Sequence, residues 1–292
     1  MKSGSILTKR ELKNYFAKDL GWGWFRKYQA QLVFNFLIDA AEFCKDGVIL
    51  DAGAGHQRYK PFFQDSIYIT QEHQAGIDMK NMQDIEHDLI SPLYEKIPLK
   101  ENVLDGVLST STLEHIRYPD RFIREACRVL KPGGKLFINC PFCHPEHETP
   151  YDFNRPTSFG LERWFRDAGF EEFTIKPSSS CTETACAFFA VSLWHDIRRS
   201  DKRGRELLSE ALKSKNGYLK VISKAIHLCY AKCVYLLAAL CGNAFRLLVD
   251  RGANDSTTLP VGWIAVAVKP GKFDKSIRFK NKIDFLAKCK NE

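Results

Sequence analysis

The chain has 292 residues, 45% of them apolar and 27% charged, which is enough to bury a core and excludes wholesale disorder. Eighteen Gly and twelve Pro without a period exclude collagen-like and low-complexity chains, and ten Cys are too dilute for a disulfide scaffold. Forty-three Lys and Arg against 35 Asp and Glu leave a net charge of +8, which favours anionic partners without choosing nucleic acid, a membrane surface or a phosphorylated substrate.

The opening MKSGSILTKRELKNYF lacks the apolar run of a signal peptide. No uncharged stretch reaches the roughly 20 residues that span a bilayer. A reduced, cytoplasmic setting is therefore expected, possible contact with the inner face of a membrane aside. Thr8 and Glu11 have the spacing of a capping box and predict a first helix. From Trp24, apolar residues Phe25, Tyr28, Leu32, Phe36 and Leu37 recur at three and four, predicting a second.

The pattern then changes. Short apolar runs at 47–50, 66–70, 103–109 and 135–139 predict strands, separated by predicted helices over 58–64 and 119–130. Strands alternating with helices of this length predict βαβ units and a parallel sheet. KPGG at 131–134 predicts a helix stop and a turn. A helix over 158–170 closed by Gly169 and a strand over 170–176 come next. Residues from 181 to 257 break the alternation with helical patterns, one basic and one strongly apolar. WIAVAV at 263–268 predicts a last strand, and the lysine-rich tail after Lys269 reads as peripheral. The expected organisation is N-terminal helices over 1–45, an α/β core over 46–180, a helical insertion over 181–257, and a final strand with a basic tail over 258–292. The core is completed by 258–270.

VILDAGAG, residues 48–55, runs a hydrophobic strand into a glycine turn. Gly53 and Gly55 permit a sharp turn and a close backbone approach to a ligand. A nicotinamide fingerprint would need a small residue at 58, where Arg58 stands, and Asp51 precedes the glycines. Both features point away from a nicotinamide cofactor.

Taken in order, DAGAG at 51–55, YITQE at 68–72, HDL at 87–89, LSTSTLEHI at 108–116 and RVLKPGGKLFINCPF at 128–142 resemble class I S-adenosylmethionine-dependent methyltransferases, over about residues 45–175. The resemblance implies a Rossmann-like seven-stranded α/β sheet with helices on both faces and a helical insertion before the last strand. It implies S-adenosyl-L-methionine as the cofactor, with Asp51, Gly53 and Gly55 around its methionine part. Glu72 would hold the ribose hydroxyls, with Asp78 as rival, Asp88 would contact the adenine, and Ser109 lies at the fourth strand's end. A carboxylate that accepts two hydrogen bonds suits a ribose diol.

NCPFCHPEHETPYDFNRPTSFGLERWF, 139–165, resembles the subgroup of these enzymes associated with bacterial surface-glycan and lipopolysaccharide biosynthesis. The residues that carry this are Pro141, Phe142, His147, Pro150, Tyr151, Asp152, Phe153, Arg155 and Thr157. The implied reaction is methyl transfer to an acceptor oxygen of a sugar or glycan intermediate. A lipid or quinone acceptor is the alternative, as is a cofactor-binding partner protein without catalysis. His147 is the first candidate for general base because a neutral imidazole titrates near neutral pH; His115 is the fallback. Asp152 would orient the base, or pair structurally with Arg155, while Arg155 and Tyr151 would meet the acceptor. Glu114 reads as a helix-start acid.

Cys140, Cys143, His144 and His147 also read as C-x-x-C-H-x-x-H, but four ligands so close together on a strand end do not match the two separated pairs of structural zinc sites. No metal is expected. No NPPY-type base-flipping motif follows the fourth strand, so nucleic acid is not expected either. The apolar helical pattern at 218–249 carries Lys220, Lys224, Lys232 and Arg246, which suits a membrane surface or a buried helix pair. Nothing in the sequence sets an oligomeric state.

Overall fold

The computed structural model describes residues 7–19, 27–79, 82–91, 95–179 and 260–291 except 275 and 277, with scattered positions between 181 and 188. The chain divides into two compact units. The second, residues 24–26 and 180–259, contains the expected helical insertion and the 218–249 segment, which lie outside the described residues apart from those scattered positions. The first unit, residues 1–23, 27–179 and 260–292, carries the sheet and the helices around it.

Helix α1 is Lys9–Asp19 and α2 is Lys27–Phe43. The capping box forms as expected: Thr8 donates to Glu11 Oε2 through both its backbone N–H and its hydroxyl, and Glu11 N donates to Thr8 Oγ1. The sheet strands are β1 Val48–Ala52, β2 Ile67–His73, β3 Leu89–Ser91, β4 Leu104–Thr110, β5 Leu130–Pro141, β6 Glu172–Pro177 and β7 Gly262–Val268. Helices α3 Gln74–Met79, α4 Pro119–Val129, α5 Ser158–Asp167 and α6 Lys282–Cys289 complete the described elements.

The seven strands lie in the order β3-β2-β1-β4-β5-β7-β6. The first five are parallel, and β7 runs antiparallel to both β5 and β6. Every residue of β1 and β4 is buried, as in a parallel strand covered on both faces. Successive residues serve opposite cores. Leu50, Val107, Leu136 and Ile138 face Phe122, Ile123, Leu161 and Phe165 of α4 and α5. Ile49, Leu108 and Phe137 pack with Phe36, Leu37 and Ala40 of α2 and with Leu12 and Phe16 of α1. Strand order reverses between β1 and β4, which opens a crevice at their carboxyl ends. Open α/β sheets bind ligands at such a switch point.

Three expectations need correction. The helix expected over 58–64 shrinks to a single 3-10 turn at Lys60–Phe62, since Pro61 supplies no amide for a longer ladder. KPGG does not form a separate turn. It is drawn into β5, with a register shift between Leu104 and Gly106 that absorbs it, and Gly133 at φ +74° lies where a Cβ would strike the Phe273 backbone. The tail is not peripheral. Phe285 is fully buried, Phe273 packs on Phe43 with centroids 4.9 Å apart, and Lys290 bridges Leu99. Phe285 and Cys289, at helical spacing among the lysines, form the buried stripe that composition hid. No described helix is long and apolar enough to cross a membrane.

Candidate cofactor and acceptor site

The loop after β1 is tied to β2 because Gly53 N and Ala54 N both donate to Gln71 O, at 3.0 and 3.1 Å. Its two glycines do different things. Gly53, at φ +80°, sits where a Cβ would lie 2.3 Å from the Thr112 side chain, so it admits the packing of the loop against the segment after β4. Gly55, at φ +48°, has nothing within 4 Å of a would-be Cβ. The close ligand approach expected of both glycines is thus available at Gly55, while Gly53 faces protein.

Glu72, near the end of β2 and 2% exposed, accepts from Gly55 N at 2.8 Å through Oε2 and from His73 N at 2.9 Å through Oε1. Asp78 lies exposed on α3 and accepts from Gln74 Nε2. Of these two acids, Glu72 is the one the fold brings to the glycine loop. Asp88 accepts from Thr70 through the latter's N–H and hydroxyl, and pairs with Lys282 of α6 at 2.7 Å. Asp88 therefore joins β2 to the C-terminal helix, a role its sequence position did not disclose.

Asp51, fully buried at the end of β1, accepts a hydrogen bond from the Tyr68 hydroxyl through Oδ2, while its Oδ1 has no partner. Burial lifts its carboxyl to about 7; the Tyr68 bond opposes the rise and the charge of Glu72 adds to it. Ser109, also fully buried, has an unpartnered hydroxyl. Buried polar atoms without partners are rare and need a reason. S-adenosylmethionine fits these residues: its ammonium suits the orphaned Asp51 oxygen, its ribose hydroxyls suit the Glu72 carboxylate, and the backbone is open at Gly55.

A second cluster forms where the 3-10 turn Leu113–His115 meets the loop after β5. Phe153 N donates to Glu114 O at 2.7 Å, holding the loop against the turn. The His115 Nδ1–H donates to the Tyr151 carbonyl at 2.6 Å. His147 Nδ1 lies 3.2 Å from Pro145 O and 3.3 Å from Asp152 Oδ2, and its backbone N–H donates to that same Asp152 oxygen. Arg155 grips Asp152 with two nitrogens, each 2.6 Å from a different carboxylate oxygen. The His115 and His147 rings stand 5.0 Å apart, and His144 stands 4.8 Å from His147.

Between the imidazoles lies Glu114. Its Oε1 is 3.9 Å from Nε2 of both His115 and His147, and its buried Oε2 has no partner. Burial raises this carboxyl to about 7, against its own backbone N–H and Arg155. Asp152 goes the other way: burial would raise it, but the Arg155 fork and the His147 N–H hold it at about 2.

The fold thus gathers His115, His147, Asp152 and Arg155, as expected from the sequence. Tyr151 takes part through its carbonyl, with an exposed ring. Glu114, expected at the cleft mouth only as a helix-start acid, stands among the imidazoles, and Glu148, whose Oε2 is 3.5 Å from His115 Nε2, was not expected there. Cys140 is buried inside β5 with its thiol pushed up by burial, and no C-x-x-C-H-x-x-H grouping forms among the described residues. Thr112, which packs on Gly53, is two residues from Glu114, so the glycine loop and the histidine cluster flank one stretch of chain.

Residues 50–138 match the family model described as "Methyltransferase domain". The ubiquinone/menaquinone biosynthesis C-methyltransferase UbiE of Chromobacterium violaceum is 46% identical over 76 residues, covering 25% of this chain and 31% of that protein. The sarcosine/dimethylglycine N-methyltransferase of Halorhodospira halochloris is 25% identical over 152 residues, or 45% of this chain and 54% of that protein. A solved phosphoethanolamine N-methyltransferase 2 of Haemonchus contortus, in complex with phosphomonomethylethanolamine and S-adenosylhomocysteine, is 14% identical with a TM-score of 0.44; the likeness covers 91% of this chain and 59% of that one. The chain spans between 24% and 54% of the length of the curated relatives it matches.

Proposed function

We propose that the protein, whose residues 50–138 match the methyltransferase-domain model, moves the methyl group of S-adenosylmethionine to a hydroxyl oxygen of a sugar or glycan intermediate. The observation that carries this is the polar cluster beside the glycine loop. Glu114, His115 and His147 offer a carboxylate and two imidazoles where an apolar acceptor ring would need an apolar wall.

When bound, the cofactor supplies a sulfonium methyl that is already strongly electrophilic. The chain's own residues then have two tasks. The first is holding: the loop at Gly55 lets the backbone approach, Glu72 takes the ribose hydroxyls, and Asp51 meets the ammonium. The second is alignment of the acceptor and removal of its proton. Proton removal falls to the Glu114–His115–His147 group, with His147 leading because its side chain is 31% exposed and can pass the proton to water. Asp152 is a positioning residue, gripped by Arg155 and holding His147 through its backbone N–H. The rings of Tyr151 and Phe153, each 39% exposed, with Arg117 standing over that of Phe153, suit the apolar face of a sugar ring.

A second reading, methylation of a quinone, has its support in the matched segment of the quinone C-methyltransferase. Incubating the protein with methyl-labelled cofactor and either sugar-containing envelope precursors or a quinone extract separates the two. Label in the sugar fraction supports the proposal, and label in the quinone supports the second reading. Binding of S-adenosylhomocysteine without transfer to any fraction would leave a non-catalytic cofactor-binding protein.

A further inference from the structure

We propose that Glu114, His115 and His147 form a site for a divalent transition-metal cation of the zinc class, placed where the acceptor hydroxyl would bind; this rests on the acceptor-site reading above. The ligand atoms of these three residues all lie within 4.8 Å of one another. Metal–nitrogen bonds of about 2.0–2.1 Å put tetrahedral ligands roughly 3.4 Å apart, so the side chains must close by about 0.5–1.4 Å, a small adjustment of side-chain torsions.

Two further observations point to a cation. Glu114 Oε2 is buried and has no hydrogen-bond partner, on a side chain only 1% exposed. An orphaned carboxylate oxygen in such a place calls for a proton or a cation, and the same carboxyl turns its other oxygen, Oε1, to both imidazoles. The imidazoles are also oriented as metal ligands usually are, with one ring nitrogen held by an oxygen acceptor and the other directed inward. His115 Nδ1 is held by the Tyr151 carbonyl, and His147 Nδ1 lies against the Pro145 carbonyl and Asp152 with Arg155 Nη2 at 3.5 Å, so that Nε2 of both rings faces Glu114 Oε1 at 3.9 Å.

Two imidazoles and one carboxylate suit zinc-class ions better than magnesium or calcium, which prefer all-oxygen ligands. Three protein ligands leave a coordination position for an acceptor oxygen. A hydroxyl bound there would lose its proton more readily, to Glu148 or to water. The new O–CH3 bond then forms as the sulfonium C–S bond breaks, and S-adenosylhomocysteine leaves with the electron pair of that bond. This departs from the metal-free expectation drawn from the sequence. In the metal-loaded protein, His147 serves as a ligand and no longer takes the proton itself.

The test uses the full chain, stripped with a chelator and titrated with Co²⁺ alone, followed by optical spectroscopy, with Zn²⁺ as competitor. The expected result is one equivalent per chain with visible absorption bands of four- or five-coordinate cobalt, displaced by Zn²⁺. His115→Ala, His147→Ala and Glu114→Gln should each weaken binding at least as much as the about 10–100-fold that changes to outer-shell partners cost. Cys143→Ala should bind as the unaltered protein does. S-adenosylhomocysteine affinity, measured on the same samples, should be unchanged in all four variants, which also shows that they fold. No cobalt spectrum in the unaltered protein, or undiminished binding in the His115→Ala/His147→Ala double variant, overturns the metal site. Cobalt binding with no S-adenosylhomocysteine binding would instead sink the methyltransferase reading and leave the metal site standing.

Discussion

Glu72 Oε2 accepts a hydrogen bond from the backbone N–H of Gly55 at 2.8 Å, across 17 residues of sequence. Together with the bond from His73 N to Oε1, it holds a carboxylate beside the loop glycine whose would-be Cβ meets open space. Removing it should therefore act on ligand affinity as well as on the loop. Glu72→Ala is expected to weaken S-adenosylhomocysteine binding by about 1–3 kcal/mol, the scale of a lost charge-assisted bond, or roughly 5–150-fold. Asp78→Asn should bind as the unaltered protein does. Calorimetry on the two variants checks both, and the opposite ranking would move the ribose role to Asp78.

The two glycines of the loop should part in their effects. Gly53→Ala adds a Cβ 2.3 Å from Thr112 in a left-handed backbone conformation, so it should lower the melting temperature markedly. Pairing it with Thr112→Ser removes one of the clashing atoms and should recover part of the loss. Gly55→Ala should cost only the left-handed strain, about 1–2 kcal/mol, yet reduce cofactor affinity further. Thermal melts with and without S-adenosylhomocysteine separate the two effects.

Asp51 gives a pH dependence whose sign is set by its burial. Its folded carboxyl titrates at about 7, above the about 3.9 of an unfolded chain. Between those values the folded state holds a proton that the unfolded state has released, so this group's contribution to stability falls as pH rises through the window, then levels off. Asp51→Asn should remove that part of the slope, read as the difference between variant and unaltered protein in urea unfolding from about pH 4 to 8. Tyr68→Phe removes the bond that opposes burial and should extend the decline to higher pH. Parallel pH profiles for Asp51→Asn and the unaltered protein would mean that Asp51 does not carry the effect.

The C-terminal helix should behave as part of the core. Phe285→Ala is expected to cost about 3–5 kcal/mol, as for a buried aromatic ring truncated to a methyl. Lys282→Ala breaks a half-exposed pair with Asp88 and should cost under about 1 kcal/mol. Chemical unfolding of both variants tests the contrast.

Strands β1, β2, β4 and β5 were legible because each is a short apolar run, a pattern local enough to read directly. The same holds for the capping box of Thr8 and Glu11, and for α4 with its regular apolar stripe. The glycine loop and the histidines after β5 were legible as residue types in order. Glu114 was read as a helix-start acid because its neighbours in sequence suggest nothing else. Only when the loop from β5 folds over the 3-10 turn does it stand between two imidazoles.

What the sequence determined by itself is the alternation of strand and helix, the glycine turn at 53–55 and the set of polar residues available to a site, since each is carried by neighbours a few positions apart. What only the tertiary structure decided is which of those residues meet: Glu72 rather than Asp78 at the glycine loop, Gly53 against Thr112, Lys282 on Asp88, and Glu114 beside His115 and His147. Those contacts span between 1 and 194 residues of sequence, and most depend on strand register and on which face of the sheet each loop covers. Local periodicity specifies neither, because register and loop placement are set by the packing of the whole core.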